Sequence, residues 1–309
     1  MPRVASIGEC MIELRHRSES DLELAFGGDT LNTAVYLSRL GRARGVSVDY
    51  VSALGDDAYS DQMLAMWQAE GVGTALVARL PGRLPGLYTI RTDARGERSF
   101  TYWRSASAAR EMLKDGRAER LRAALAGYDL LYLSGITLSI LDQPQRAALM
   151  ALADAVRAQG GRVAFDSNYR PVGWPDQDEA RRAFDAMLTR TDIALPTLDD
   201  DKALFGVADA AAAADRLHRL GVAEVAIKLG ADGCFLSSAL GTGEVEPEPV
   251  AAVVDSTAAG DSFNAGYLAA RLLGAAPEAA ARLGNRLAAR VIAHPGAVVP
   301  ADATRDVTL

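Results

Sequence analysis

The stretch DSTAAGDSFNAGYLAARL, Asp255 to Leu272, sets small and hydroxylated residues, a glycine and an aspartate ahead of a regular apolar helix pattern. Ala258, Ala259 and Gly260 carry so little side chain that a ligand can approach their backbone amides, and they stand where the helix begins. The first N–H groups of a helix lack intrahelical partners and its dipole adds partial positive charge, so such a terminus attracts anions. A carboxylate at Asp261 opposes that attraction unless it takes part in a reaction. Phosphoryl transfer needs both features: amides stabilise charge on the group in transit, while a carboxylate accepts the proton of the attacking hydroxyl. The alternative is that Asp261 only favours the first helical turn, by about 0.3–1 kcal/mol.

Other polar residues stand at similar junctions. GGDTLN, Gly27 to Asn32, puts two glycines before a helix start, with Asp29 and Asn32 in its first turns; capping alone would explain Asp29. FDSNYRP sets Asp166, Asn168 and Arg170 in alternation at the carboxyl end of an apolar strand, where open α/β sheets bind ligands; an Asx turn before Pro171 is the alternative for Asp166. In ERSFTYWR, alternation puts Tyr102 and Arg104 on one strand face, near Tyr88 of the preceding strand. A guanidinium fork suits a carboxylate, although paired aromatics on a solvated face fit the same pattern. Lys228 follows the apolar strand EVAIK, and Gly230 and Gly233 leave room for a nucleotide in the turn beyond; a surface lysine at a strand end is the alternative.

Composition narrows the partners. The 309-residue chain is 49% hydrophobic and 24% charged, which is ordinary for a globular protein, and its formal charge of −7 offers no surface to nucleic acid or anionic membrane. Small molecules remain. Only Lys114, Lys202 and Lys228 are lysines among 33 cationic residues. Cys10 and Cys234 lie in apolar runs and give neither a disulfide framework nor a zinc spacing. The first residues run straight into a strand pattern without signal-peptide architecture, and the expectation is a cytoplasmic protein. GxxxxGK[ST] and GxGxxG are both absent, and three histidines form no triad or metal spacing, so Walker ATPases and Rossmann oxidoreductases are disfavoured.

The elements that must position these residues alternate between strand and helix. Strands are predicted at RVASIG, Asp49 to Leu54, YDLLYLSG, RVAFDSN, DIALPT and EVAIKLG. Helices are predicted at Asp29 to Leu40, at Ala58 to Ala69 with Met63, Met66 and Trp67 as core, through the Ala-rich tract 210 to 214, at Ala259 to Leu273 and at Pro277 to Ala293. The rhythm argues for a mostly parallel sheet with helices on both faces. Residues 74 to 104 break it with three strand-like runs, TALVARL, GLYTIRTD and ERSFTYWR, the last two joined through Ala94 to Gly96; the expectation is a small antiparallel flap.

DSTAAGD resembles the D-T-x-G-A-G-D phosphate-binding signature of ribokinase-like, PfkB-type sugar kinases, with Ser256 for the usual Thr and Ala258 for the first Gly. IGECMIEL, FGGDTLNTAVYLSRL, LYLSGITLSIL, FDSNYRPVGW and PTLDDDKALFG follow in the order of their counterparts in the 2-keto-3-deoxygluconate kinase subgroup, so the resemblance covers nearly the whole chain.

The resemblance implies one α/β domain over residues 1–309, a three-layer α/β/α ribokinase-like fold with a mostly parallel central sheet. Its β lid would be built mainly from about 74–104 plus part of 10–27. It implies ATP-dependent phosphorylation of 2-dehydro-3-deoxy-D-gluconate at O6, with Asp261 as base and the amides of Ala258, Ala259, Gly260 and Asp261 as anion hole. Gly28, Asp29, Asn32, Tyr88, Tyr102, Arg104, Arg170 and Asp261 would bind the sugar acid; Asn168, Lys228, Gly230, Gly233 and Gly260 would bind ATP. Mg²⁺ would accompany ATP. The family's N-x-x-E is substituted at both ends here, by Thr197 and Asp200, so its protein ligands stay unassigned; Asp199, Asp200 and Asp201 either order water around the ion or form an acidic first turn. A homodimer through the lid is a further expectation. The competing readings are a sister kinase for fructose, ribose, ketodeoxygalactonate or a nucleoside, and a non-catalytic sugar sensor on the same fold.

Overall fold

Runs such as VASI, LLYLS and EVAIK are apolar at successive positions, and a strand of that kind is stable only when both its faces are covered. The computed structural model, which describes residues 1–92 and 98–309, meets this demand with a ten-stranded sheet between two helical layers. In spatial order its main path runs Gly241–Val245, Cys234–Ser238, Glu224–Lys228, Ile193–Ala194, Arg162–Asp166, Leu130–Ser134, Arg3–Ile7, Ser47–Leu54 and Val72–Gly73. Pairing is parallel except where Cys234–Ser238 and Gly241–Val245 return antiparallel at one edge. Side chains alternate between two cores: Val4, Leu130 and Tyr132 pack with the helices Asp29–Gly41, Ala259–Leu272 and Pro277–Ile292. Ala5, Ile7, Leu131 and Leu133 pack with Gln143–Ala158, Gln177–Leu188 and Ala210–Arg219. This is the expected three-layer α/β/α architecture.

Met63 and Trp67 are fully buried in the first of these cores, with Met66 packed against it, as their spacing on one face of Ala58–Ala69 requires.

A second sheet of four strands has the order Leu22–Gly27, Met11–His16, Gly86–Thr92, Arg98–Trp103. Two expectations about the flap need correction. Val77–Arg79 joins the central sheet, parallel to Ser47–Leu54, and is not part of the flap. The flap is also mixed, because Met11–His16 pairs in parallel with Gly86–Thr92. Local alternation marks a strand, but only tertiary pairing decides which sheet receives it. The expected junction at Ala94 to Gly96 lies outside the described residues. Among the described residues no helix is long and apolar enough to cross a membrane.

Candidate active site

The Ala259–Leu272 helix starts from Ala258, whose backbone is left-handed at φ 60°, ψ 17°. That conformation is about 1–2 kcal/mol unfavourable for a residue with a Cβ, and the surrounding turn enforces it. Asp255 accepts from the Thr257 amide at 2.9 Å, from the Thr257 hydroxyl at 2.6 Å and from the Gly296 amide at 3.0 Å, while the Ser262 hydroxyl and amide close on the Ala258 carbonyl at 2.7 and 2.9 Å. The Ala259 amide is drawn into the turn, 3.3 Å from the Ser256 carbonyl. The strain makes a prediction: Ala258→Gly, relieving it against the added unfolded-chain freedom of glycine, raises stability by up to about 1 kcal/mol. A lower melting temperature in the glycine variant would show that the loop is not strained here.

Asp261 lies one turn in. Asn32 donates from Nδ2 to its Oδ2 at 2.8 Å, and the Thr33 hydroxyl reaches its carbonyl at 3.1 Å, so the Asp29–Gly41 helix grips both ends of the residue. Burial, and after it the charge of Asp29, push the Asp261 carboxyl far above the usual carboxylate range, and the Asn32 hydrogen bond only partly offsets them. Asp29 in turn accepts from Asn168 Nδ2 at 2.7 Å. Asn168, read as an ATP residue, therefore stands with the Asp29 group, held at φ 35°. Gly28 is required by close approach, since a Cβ there would lie 2.1 Å from the Glu9 carbonyl.

Lys228 is buried, which excludes the surface-lysine alternative. Its ammonium donates to Asp166 Oδ2 at 2.8 Å and to Asn264 Oδ1 at 3.2 Å, and Asn264 Nδ2 bonds Asp166 at 2.7 Å and the Tyr132 hydroxyl at 3.0 Å. This polar cluster lies directly under the helix start: a Cβ on Gly260 would be 3.4 Å from Lys228 Nζ. Lys228 also borders a cleft of about 750 Å³ with Thr197, Asp199, Lys202, Gly230 and Glu246. That volume suits a nucleotide, and the shared lysine joins the cleft to the helix start. Gly233 stands in the turn at φ 83°, where a Cβ would lie 2.2 Å from the Val245 carbonyl.

The three consecutive aspartates diverge. Asp199 faces the nucleotide-sized cleft, Asp200 accepts from the Tyr169 amide at 3.2 Å and from Arg170 at 3.3 Å, and Asp201 is buried, accepting from the Ser167 hydroxyl at 3.0 Å with its carboxyl pushed up by burial to about 7. They begin the Leu198–Phe205 helix, as the acidic-first-turn alternative requires. Among the described residues no group of three or more His, Cys, Asp or Glu side chains is gathered to hold a metal ion.

On the lid, Tyr88 and Tyr102 face each other in register with ring centroids 5.8 Å apart, and the Arg104 guanidinium lies 6.0 Å from the Tyr102 ring. Tyr88 donates to Glu13, and Arg104 to the fully buried Glu9. Glu13 also takes Arg15 at 3.0 Å, and Arg15 approaches Asp255 at 3.7 Å, so the lid is tied by charge to the turn before Ala258. Arg170 is half exposed and held by Asp200; Val172 and Gly173, just beyond it, border the same cleft as Tyr102 and Arg104. Glu9, Glu13 and Asn264 have no role in the sequence reading, and Asp255 enters it only as the first residue of the DSTAAGD signature. Asn264 and Glu13 carried a usable signal, a polar residue inside an otherwise apolar run.

A model of the pfkB family of carbohydrate kinases matches residues 1–304. The chain is 50% identical over 306 residues to 2-dehydro-3-deoxygluconokinase of Dickeya dadantii (strain 3937), covering 97% of each. It is 47% identical over 305 residues to 2-dehydro-3-deoxygluconokinase of Escherichia coli (strain K12), covering 97% of this chain and 98% of that one. Its fold superposes at a TM-score of 0.83 on an Escherichia coli protein provisionally named ribokinase II and solved with ATP and Mg²⁺, at 24% identity over 96% of this chain and 94% of that one. Matched across nearly its whole length, the chain belongs to the pfkB family of carbohydrate kinases.

Proposed function

We propose that the chain transfers the γ-phosphoryl group of ATP to O6 of 2-dehydro-3-deoxy-D-gluconate, giving 2-dehydro-3-deoxy-6-phosphogluconate. The observation that carries the reaction type is Asp261 itself, a carboxylate held by Asn32 in the first turn of a helix whose entry is built from small residues. The relatives at 47–50% identity support the choice of substrate.

ATP, when bound, supplies the phosphoryl group, and the Mg²⁺ that accompanies it offsets phosphate charge. Asp261 accepts the proton of O6. The amides of Ala258, Gly260 and Asp261 stabilise charge on the group in transit, while that of Ala259 is drawn into the turn. Gly28, Asp29, Asn32, Tyr88, Tyr102, Arg104 and Arg170 orient the sugar acid; Asn168, Lys228, Gly230, Gly233 and Gly260 hold the nucleotide, with Lys228 acting from below through Asp166 and Asn264. Positioning of this kind accounts for most of the catalysis in phosphoryl transfer. The single domain with its lid, a cytoplasmic setting where ATP is supplied, and a homodimer formed through the lid belong to the same reading; exposed Leu22, Leu24 and Phe100 on the four-stranded sheet support the dimer.

ATP consumption against ketodeoxygluconate, ketodeoxygalactonate, fructose, ribose and adenosine tests it. We expect kcat/KM for ketodeoxygluconate to exceed that for fructose by at least about 100-fold, the discrimination a buried charged contact provides. Equal or better turnover of a neutral sugar would overturn the substrate, and inertness toward all five would favour a sensor.

A further inference from the structure

Resting on the sugar-acid reading, we propose that Ser107 and Arg110 form a second carboxylate anchor beside Arg104, and that Arg110 supplies the charge that selects an acid over a neutral sugar. Arg104 is already paired with the fully buried Glu9, so the pair presents little net charge to an incoming carboxylate. Burying the substrate's anion against a neutralised cation leaves its desolvation largely uncompensated.

Arg110 is placed to compensate it. Ser107 donates its amide to the Arg104 carbonyl at 3.2 Å, and Arg110 donates its own to the Ser107 carbonyl at 3.1 Å. Two successive i to i+3 turns keep positions 104, 107 and 110 near one another along the chain. All three border a cleft of about 650 Å³ next to Tyr102, which Arg83 also reaches. Among the described residues this cleft is bordered by three arginines and no carboxylate, in a protein whose formal charge is −7. Arg83 is paired with Glu111 at 2.6 Å, whereas no ion pair to Arg110 is present among the described residues. Two buried donors here have no hydrogen-bond partner, the Ser107 hydroxyl and Arg104 Nε, as has one acceptor, Glu9 Oε1. An orphaned buried donor costs about 1–3 kcal/mol unless something fills it, and a carboxylate accepts from both while its charge faces Arg110.

The test compares kcat/KM for ketodeoxygluconate and for its methyl ester, which keeps the reacting hydroxyl and loses the charge, in wild-type enzyme and in the Arg110→Met, Arg110→Lys and Ser107→Ala variants. We expect Arg110→Met to cut the wild-type acid-to-ester preference by at least about 10-fold through KM for the acid, with KM for ATP within about twofold. Arg110→Lys, which keeps a point charge without the fork, recovers part of it, and Ser107→Ala loses about 3-fold or more. Melting temperatures within a few degrees of wild type certify that the variants fold; a variant that melts early is replaced by Arg110→Gln. An Arg110→Met enzyme with the full wild-type preference overturns this inference and leaves the substrate reading standing. Wild-type enzyme that is inert toward the acid, or that accepts acid and ester alike, overturns both.

Discussion

Asp261→Asn lowers kcat by roughly 10²–10⁴-fold and at the same time makes the ligand-free protein harder to melt. Both effects follow from one electrostatic arrangement. Burial and the neighbouring Asp29 raise the Asp261 carboxyl in the folded state, while in the unfolded chain it titrates in the ordinary carboxylate range. Between those two values the native state holds a proton that the unfolded state has released, so this group's contribution to stability falls as pH rises through the window. The asparagine does not titrate and can still accept the Asn32 hydrogen bond. Its advantage is therefore absent at strongly acid pH, grows through the window and is largest above neutrality. Each kcal/mol of relieved repulsion is worth about 2–4 °C in Tm. The same titration appears in wild-type kinetics as a kcat/KM that declines on acidification with an apparent pKa well above an ordinary carboxylate. Thermal melts at pH 5 and pH 8 check the first part: an equal gain at both would remove the electrostatic cause. Turnover close to wild type in the asparagine variant would remove Asp261 as the base.

The second large effect is expected at Lys228, as loss of the fold before loss of a ligand. The lysine and Asp166 are both buried and within 2.8 Å of each other, with Asn264 bonded to both. Lys228→Met leaves the buried Asp166 carboxylate without its counter-charge, held only by Asn264 and the Asn168 amide, and breaking a buried pair from one side is destabilising by about 3–5 kcal/mol. The melting temperature is expected to drop by on the order of 10 °C. Pairing the change with Asp166→Leu removes both charges and is expected to recover most of the loss. If Lys228→Met melts like wild type and only its ATP affinity falls, the ammonium acts on the ligand and the buried pair contributes little.

The Ala259–Leu272 helix was legible to within a residue because its signals are local, with small residues at the entry, an acid in the first turn and apolar periodicity after it. What holds Asp261 was not legible. Asn32 is 229 residues away in sequence, and an asparagine in the first turn of a helix reads equally well as a capping residue. Lys228 was ambiguous for a related reason: a lysine at a strand end fits a surface residue as well as a ligand-binding one until its partners at positions 166 and 264 are brought under it. Alternation put Tyr102 and Arg104 on one face of a strand, whereas the strand ends at Trp103 and Arg104 just follows it, and the buried Glu9 that neutralises Arg104 lies 95 residues earlier in an apolar stretch. Periodicity reports which way a side chain points along its own element; it carries nothing about the charge waiting there.

The two sheets divide the residues unevenly. Asp261, Asn32, Asp166 and Lys228 belong to the ten-stranded sheet and its helices, whereas Tyr88 and Tyr102 belong to the four-stranded lid and Arg104 directly follows its last strand. Substitutions in separate layers combine nearly additively when they share no partner. On the proposed roles, a lineage can therefore exchange what it recognises by altering lid strands while Asp261 and the amides beside it stay untouched. Links between the layers include Ile12, which packs in the main core, and the Arg15 to Asp255 contact, where a lid mutation reaches the turn before Ala258. That contact is where drift in substrate preference would first be felt as drift in rate.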